Sequence, residues 1–178
     1  MKDRLPARGE IAQVYAVLIF VVEGWTFNRY SWQYSSWANF LDIDTLVGIG
    51  AYRIAAGFLE SLLILAFLLF VCALFPPKLL KENFTSKGTI IVLVLFGSLS
   101  LFWKLFYARS PGLQMMDYAP LWLPCSLIVA FLVAYFLVRI KRFSAVVNWV
   151  ADRMVIFLYV LIPISVASLI LILYRNIF

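Results

Sequence analysis

Five long apolar runs, separated by short polar stretches, organise this chain. They cover roughly residues 11–27, 54–75, 88–107, 121–138 and 154–174. A spanning helix needs ~20 mostly apolar residues to cross ~30 Å of hydrocarbon, and each run supplies or approaches that length. The run within Thr45 to Phe75 is the most demanding, because it reads TLVGIGAYRIAAGFLESLLILAFLLFVCALF with only Arg53 and Glu60 as charges. The pattern predicts an all-α integral membrane bundle of about five transmembrane helices, forming a single transmembrane domain over 1–178.

The polar stretches refine this outline. Lys2, Arg4 and Arg8 precede the first run, and Glu23, Gly24 and Trp25 follow where a cleavage site would need small residues, so the first run reads as an uncleaved signal anchor. NRYSWQYSSWANFLDID, from Asn28 to Asp44, is expected to be an interfacial aromatic loop carrying Tyr30, Trp32, Tyr34 and Trp37, since amphipathic rings prefer the headgroup layer. A sharper reading makes those rings a stacking platform for a sugar, a lipid headgroup or a partner. Asp42 and Asp44 suit a helix cap. YARSPGLQMMDYAP, from Tyr107 to Pro120, reads as a turn-rich loop, and Pro124 falls in the first turn of the fourth crossing. Ser126, Ala130 and Ala134 form a small-residue stripe for close helix approach. RIKRFSAVVNWVADR reads as a short amphipathic surface helix before the fifth crossing, where Pro163 frees a carbonyl for Ser165, Ser168 or a neighbouring helix. The tripeptide Asn83, Phe84, Thr85 matches a glycosylation sequon by chance.

Composition agrees with this outline: 65 % of residues are hydrophobic and 13 % charged, outside the range of soluble domains. The net charge of +6 is spread over the ends of the apolar runs, which argues against a nucleic-acid partner and for contacts with membrane lipids. Ten of the fifteen basic residues fall on one side, namely Lys2, Arg4, Arg8, Lys78, Lys81, Lys87, Arg139, Lys141, Arg142 and Arg153. Arg29, Arg53, Lys104, Arg109 and Arg175 are left for the other. The positive-inside rule then places the N-terminus in the cytoplasm and the C-terminus outside, in a plasma or inner membrane.

The sequence contains no histidine, which removes the usual haem ligand and the usual general base. No cofactor and no metal site is expected. The two cysteines, Cys72 and Cys125, fall at opposite ends of their crossings, ~20 Å or more apart and too far to bond, and each is expected to be a buried small hydrophobe.

The candidate chemistry lies in the charges within apolar runs. Glu23, Arg53, Glu60 and Lys104 come from the first three crossings and reach similar depth in the outer half of the bilayer, given a rise of ~1.5 Å per residue. Ionisable groups in hydrocarbon turn toward one another or toward water, so these four are expected to form a polar cluster beneath the aromatic loop. In the plainer alternative, Arg53 and Lys104 snorkel, Glu23 sits at the interface and only Glu60 is buried. Two functions follow. The first is a non-enzymatic integral subunit or scaffold that packs against other membrane protein subunits or against itself. The second is a small transporter or lipid-handling protein with a charged pocket in the outer half of the bilayer. A membrane enzyme using Glu60 is the weakest reading, because no nucleophile accompanies it.

Overall fold

The computed structural model describes residues 5–77, 80–107 and 113–177. Lys2, Arg4, Lys78 and Arg109, four of the basic residues used above to assign sides, lie outside them. The described residues form five helices and no strand: α1 (Arg8–Trp37), α2 (Ile43–Leu74), α3 (Phe84–Tyr107), α4 (Leu113–Leu137) and α5 (Lys141–Ile177). All five contain a segment long and apolar enough to cross a membrane, as a multi-pass membrane protein requires.

The helices run further than the apolar runs alone indicate. Residues 28–37 were expected in a loop but continue α1, which contains no proline and no glycine after Gly24. At ~1.5 Å per residue its 30 residues extend ~45 Å, past the ~30 Å of hydrocarbon, so polarity there marks a helix leaving the apolar layer rather than a helix ending. The same reasoning applies to α5. Its 37 residues absorb the expected surface helix and the fifth crossing into one element. α4 begins at Leu113, inside the expected loop, so Pro120 and Pro124 both sit within the helix rather than at its start. Cys72 is buried, whereas Cys125 is exposed on α4, against the expectation for it; both are free thiols.

Local caps set the helix ends. Glu10 Oε2 accepts from the Ala7 amide at 2.9 Å, the reach-back that closes the first turn of α1. Asp42 precedes α2 and its carbonyl accepts from Leu46, which gives the acid the expected capping place. Asn83 precedes α3 with φ at 62°, a left-handed conformation that asparagine tolerates better than most residues. That conformation accounts for an asparagine there, and the two residues after it, Phe84 and Thr85, are buried.

The chain divides into two compact units, and α1, α2 and α5 each contribute a segment to both. Unit 1 contains residues up to Val14 and Cys72–Asp152. In it, α4 packs on α3, with Trp122 Nε1 donating to Ser98 Oγ at 3.0 Å and Phe102 and Phe106 stacked near the Trp122 ring. Ser126, Ala130 and Ala134 are all buried, as a small-residue stripe should be.

At the start of α3, buried Ser86 lies 2.7 Å from Ser144 Oγ and donates to Asn148 Oδ1 at 2.7 Å. Nearby, Thr85 Oγ1 donates to Gln13 Oε1, and Gln13 Nε2 donates to Asp152 Oδ1. Ser144, Asn148 and Asp152 recur every four residues on α5, so the polar stripe read as facing the membrane surface is instead joined to α1 and α3.

Unit 2 contains Tyr15–Val71 and Arg153–Phe178. Its core is the α1 face bearing Leu18, Ile19 and Val22, together with Ala51, Ala55 and Leu68 of α2. At its far end Arg175 of α5 pairs with Asp44 of α2, and Tyr52 donates to Asn176.

Candidate functional site

Three of the four charges singled out from the sequence, Glu23, Arg53 and Glu60, belong to unit 2; Lys104 belongs to unit 1. Within unit 2, α1 and α2 approach closely at Gly57. A Cβ at that position would stand 3.1 Å from Glu23 Oε1 and 3.3 Å from Thr26 Oγ1 and Val22 Cγ1, so a larger residue would have to press these side chains aside by a few tenths of an ångström. Glu23 is buried, with 7 % of its surface exposed, and its Oε1 has no hydrogen-bond partner among the described residues. Among the described residues Glu23, Arg53 and Glu60 form no ion pair within 4.0 Å of one another.

Arg53 turns to other groups. Its Nη2 donates to Gln33 Oε1, and its guanidinium lies 4.9 Å from the Trp37 ring centroid and 6.0 Å from that of Tyr30. Because α1 is helical here, Tyr30, Tyr34 and Trp37 fall at i, i+4 and i+7 and share one face. Tyr30 packs on both of the others, at 5.9 Å and 6.1 Å, and its hydroxyl donates to the Leu46 carbonyl at 3.1 Å. Trp32 points elsewhere and is 82 % exposed. Tyr30 and Trp37 therefore cradle a cation from α2.

On one side of the α1/α2 contact lies a half-open cavity of about 890 Å³, with α5 as its third wall. Its walls are mostly apolar: Phe20, Phe27 and Tyr30 from α1, Val47, Ala51 and Ile54 from α2, and Phe157, Leu161, Ile164 and Leu171 from α5. Phe20 and Phe157 stack with centroids 4.8 Å apart. The polar groups that reach it are Glu23, Thr26, Arg53, Ser165 and Ser168. Ser165 is fully buried, and its Oγ has no hydrogen-bond partner among the described residues. It does not serve the carbonyl that Pro163 frees, which the sequence offered as one role for it.

On the other side a smaller crevice of about 260 Å³ is lined by Trp25, Arg29, Gln33, Ala56, Gly57 and Glu60, sharing Thr26 and Arg53 with the large cavity. Volumes of ~300–1,000 Å³, apolar walls and a few convergent polar groups are the marks of a small-molecule site, and the larger cavity has all three.

The sequence pointed to Glu23 and Arg53 because a charge in an apolar run is costly. It did not point to Ser165 or to the groove. The signal that existed was Gly50 and Gly57, two turns apart on one face of α2, where another helix can come close. Compared with known proteins, the chain matches no family model, no curated protein and no solved structure.

Proposed function

We propose that this protein is a lipid-handling membrane protein that takes an amphiphile from the bilayer into the α1/α2/α5 cavity. One observation carries the reading: a cavity of about 890 Å³ with apolar walls is lined by Glu23 and Ser165, whose buried Oε1 and Oγ have no hydrogen-bond partner among the described residues. Leaving such atoms unsatisfied costs ~1–3 kcal/mol each, a cost that a ligand's polar head removes. Along α5 the lining runs from Phe157 to Leu171, ~21 Å at ~1.5 Å per residue. The mean cross-section is then on the order of 40 Å², about half that of a helix ~10 Å across. Alkyl chains fit such a space.

With the N-terminus in the cytoplasm and the C-terminus outside, the cavity opens in the extracytoplasmic half of the bilayer, beside the aromatic end of α1. The scaffold reading has support of its own. The crevice with Arg29, Gln33, Arg53 and Glu60 sets polar groups on a membrane segment, where a partner subunit or a second copy can cover them.

The test is photo-crosslinking in lipid nanodiscs with a long-chain alcohol bearing a diazirine at its tail. Labelling is expected on cavity residues such as Ala51 and Leu161, and is expected to be lost in Ala167→Trp, which places an indole at the rim while helicity and thermal unfolding stay unchanged. Labelling confined to outward residues such as Tyr159 and Val160, and indifferent to Ala167→Trp, would remove the reading.

A further inference from the structure

Resting on the cavity reading, we infer that the ligand selected there is a lipophilic amine, whose ammonium group is held by Glu23 and whose binding displaces a proton. Glu23 lines the cavity with a buried, unpartnered carboxyl oxygen, and a carboxylate shut away from water needs a cation, a proton or several donors beside it. Among the described residues no donor reaches Glu23 Oε1, and Arg29, the next basic residue along α1, lines the smaller crevice with Glu60 and is absent from the cavity lining. From α2 the ionisable groups near Glu23 are Arg53 and Glu60; neither forms an ion pair with it, and Glu60 carries the same charge sign. From α5 the lining brings Ser165 and Ser168 and no ionisable group. On α1 itself Tyr15 lies two turns away, its hydroxyl 3.4 Å from Ser61 Oγ. Without ligand the remaining neutraliser is a proton.

An ammonium group answers every part of the site. It donates to Glu23 Oε1, and the same lining carries three aromatic rings, Phe20, Phe27 and Phe157, of the kind that attract a cation. Its alkyl portion fills the rest of the groove. An anionic amphiphile would have to rely on Arg53, whose guanidinium is already bound by Gln33 and laid on Trp37, and would set its charge against Glu23. The exchange balances simply: the amine arrives protonated, the carboxyl O–H of Glu23 releases its proton to water, and carboxylate and ammonium pair.

The test uses dodecylamine and dodecanol, equal in chain length and different in head, added to the full chain in phosphatidylcholine nanodiscs with empty nanodiscs as the blank. Dodecylamine is expected to bind about tenfold tighter than dodecanol and to release about one proton per amine in weakly buffered solution. Glu23→Gln should lose that preference and the proton release. Proton release is read on the unmodified protein, so the inference stays exposed to refutation even if the variant does not fold. Equal binding of the two probes without proton release overturns the amine assignment and leaves the cavity reading in place. Binding of neither overturns both.

Discussion

The guanidinium of Arg175 holds Asp44 twice, with Nη2 3.3 Å from the carboxylate and Nη1 donating to the main-chain carbonyl at 3.1 Å. A cation in the last turn of α5 thus meets an acid in the first turn of α2, each at the helix end whose dipole favours it. Gly48 makes the approach possible, because a Cβ there would stand 2.2 Å from Arg175 Nη1. Arg175→Ala and Gly48→Ala should therefore remove the same interaction. Asp44 is largely exposed, so each is expected to cost only about 1 kcal/mol, and the double variant little more than either single one. Unfolding midpoints of the four proteins in one detergent check this; additive losses would mean that glycine at 48 serves some other purpose.

Ser165 offers a prediction of opposite sign. Its hydroxyl is buried and unpartnered among the described residues, so Ser165→Ala removes a desolvated dipole and deletes no hydrogen bond. Ligand-free protein is expected to gain about 1 kcal/mol of stability, against the usual trend for substitutions at buried positions. Thermal unfolding after exhaustive detergent exchange reads the effect. A loss of stability would show that the hydroxyl is satisfied in the folded protein.

These relationships divide what the sequence could and could not convey. The five apolar runs located five helices, because the bilayer demands length and apolarity of each segment alone. Their ends differ from the pattern at Asn28–Trp37 and at Leu113–Pro120, where polar or turn-forming residues point to loops although a helix emerging into water carries such residues equally well. Glu23 and Arg53 were legible as costly charges. Their partners were not, since Gln33 and Trp37 for Arg53, and the groove for Glu23, depend on how helices pack. The same holds for Arg175 with Asp44, separated by 131 positions in the chain. Lys104 matched the others in depth but belongs to unit 1, a distinction no periodicity encodes.

Arg53 separates charge from shape. A lysine at 53 keeps the positive charge but loses the flat guanidinium that lies over Trp37 while donating to Gln33. Arg53→Lys is expected to cost about 1 kcal/mol, most of what Arg53→Leu costs, because the cation–π and hydrogen-bonding contributions are both geometric here. Gln33→Leu in the Arg53→Lys background should then add little. If lysine proved as stable as arginine, charge alone would account for the residue.

Ser86 permits the sharpest cycle in unit 1. With its single proton donated to Asn148 Oδ1, the short contact to Ser144 is made by the Ser144 hydroxyl donating to Ser86 Oγ. Ser86→Ala thus strips an acceptor from Ser144 and a donor from Asn148 together, at a position fully buried in α3. The expected loss is ~1–3 kcal/mol, larger than for Thr85→Ala, whose partner Gln13 keeps its bond to Asp152. Replacing both ends, Ser86→Ala with Asn148→Leu, should recover part of that loss, since an apolar pair leaves no amide oxygen without its donor. A double variant as unstable as the sum of its parts would mean that the serine matters for its packing volume, and that the hydrogen-bond chain from α3 to α5 contributes little to the fold.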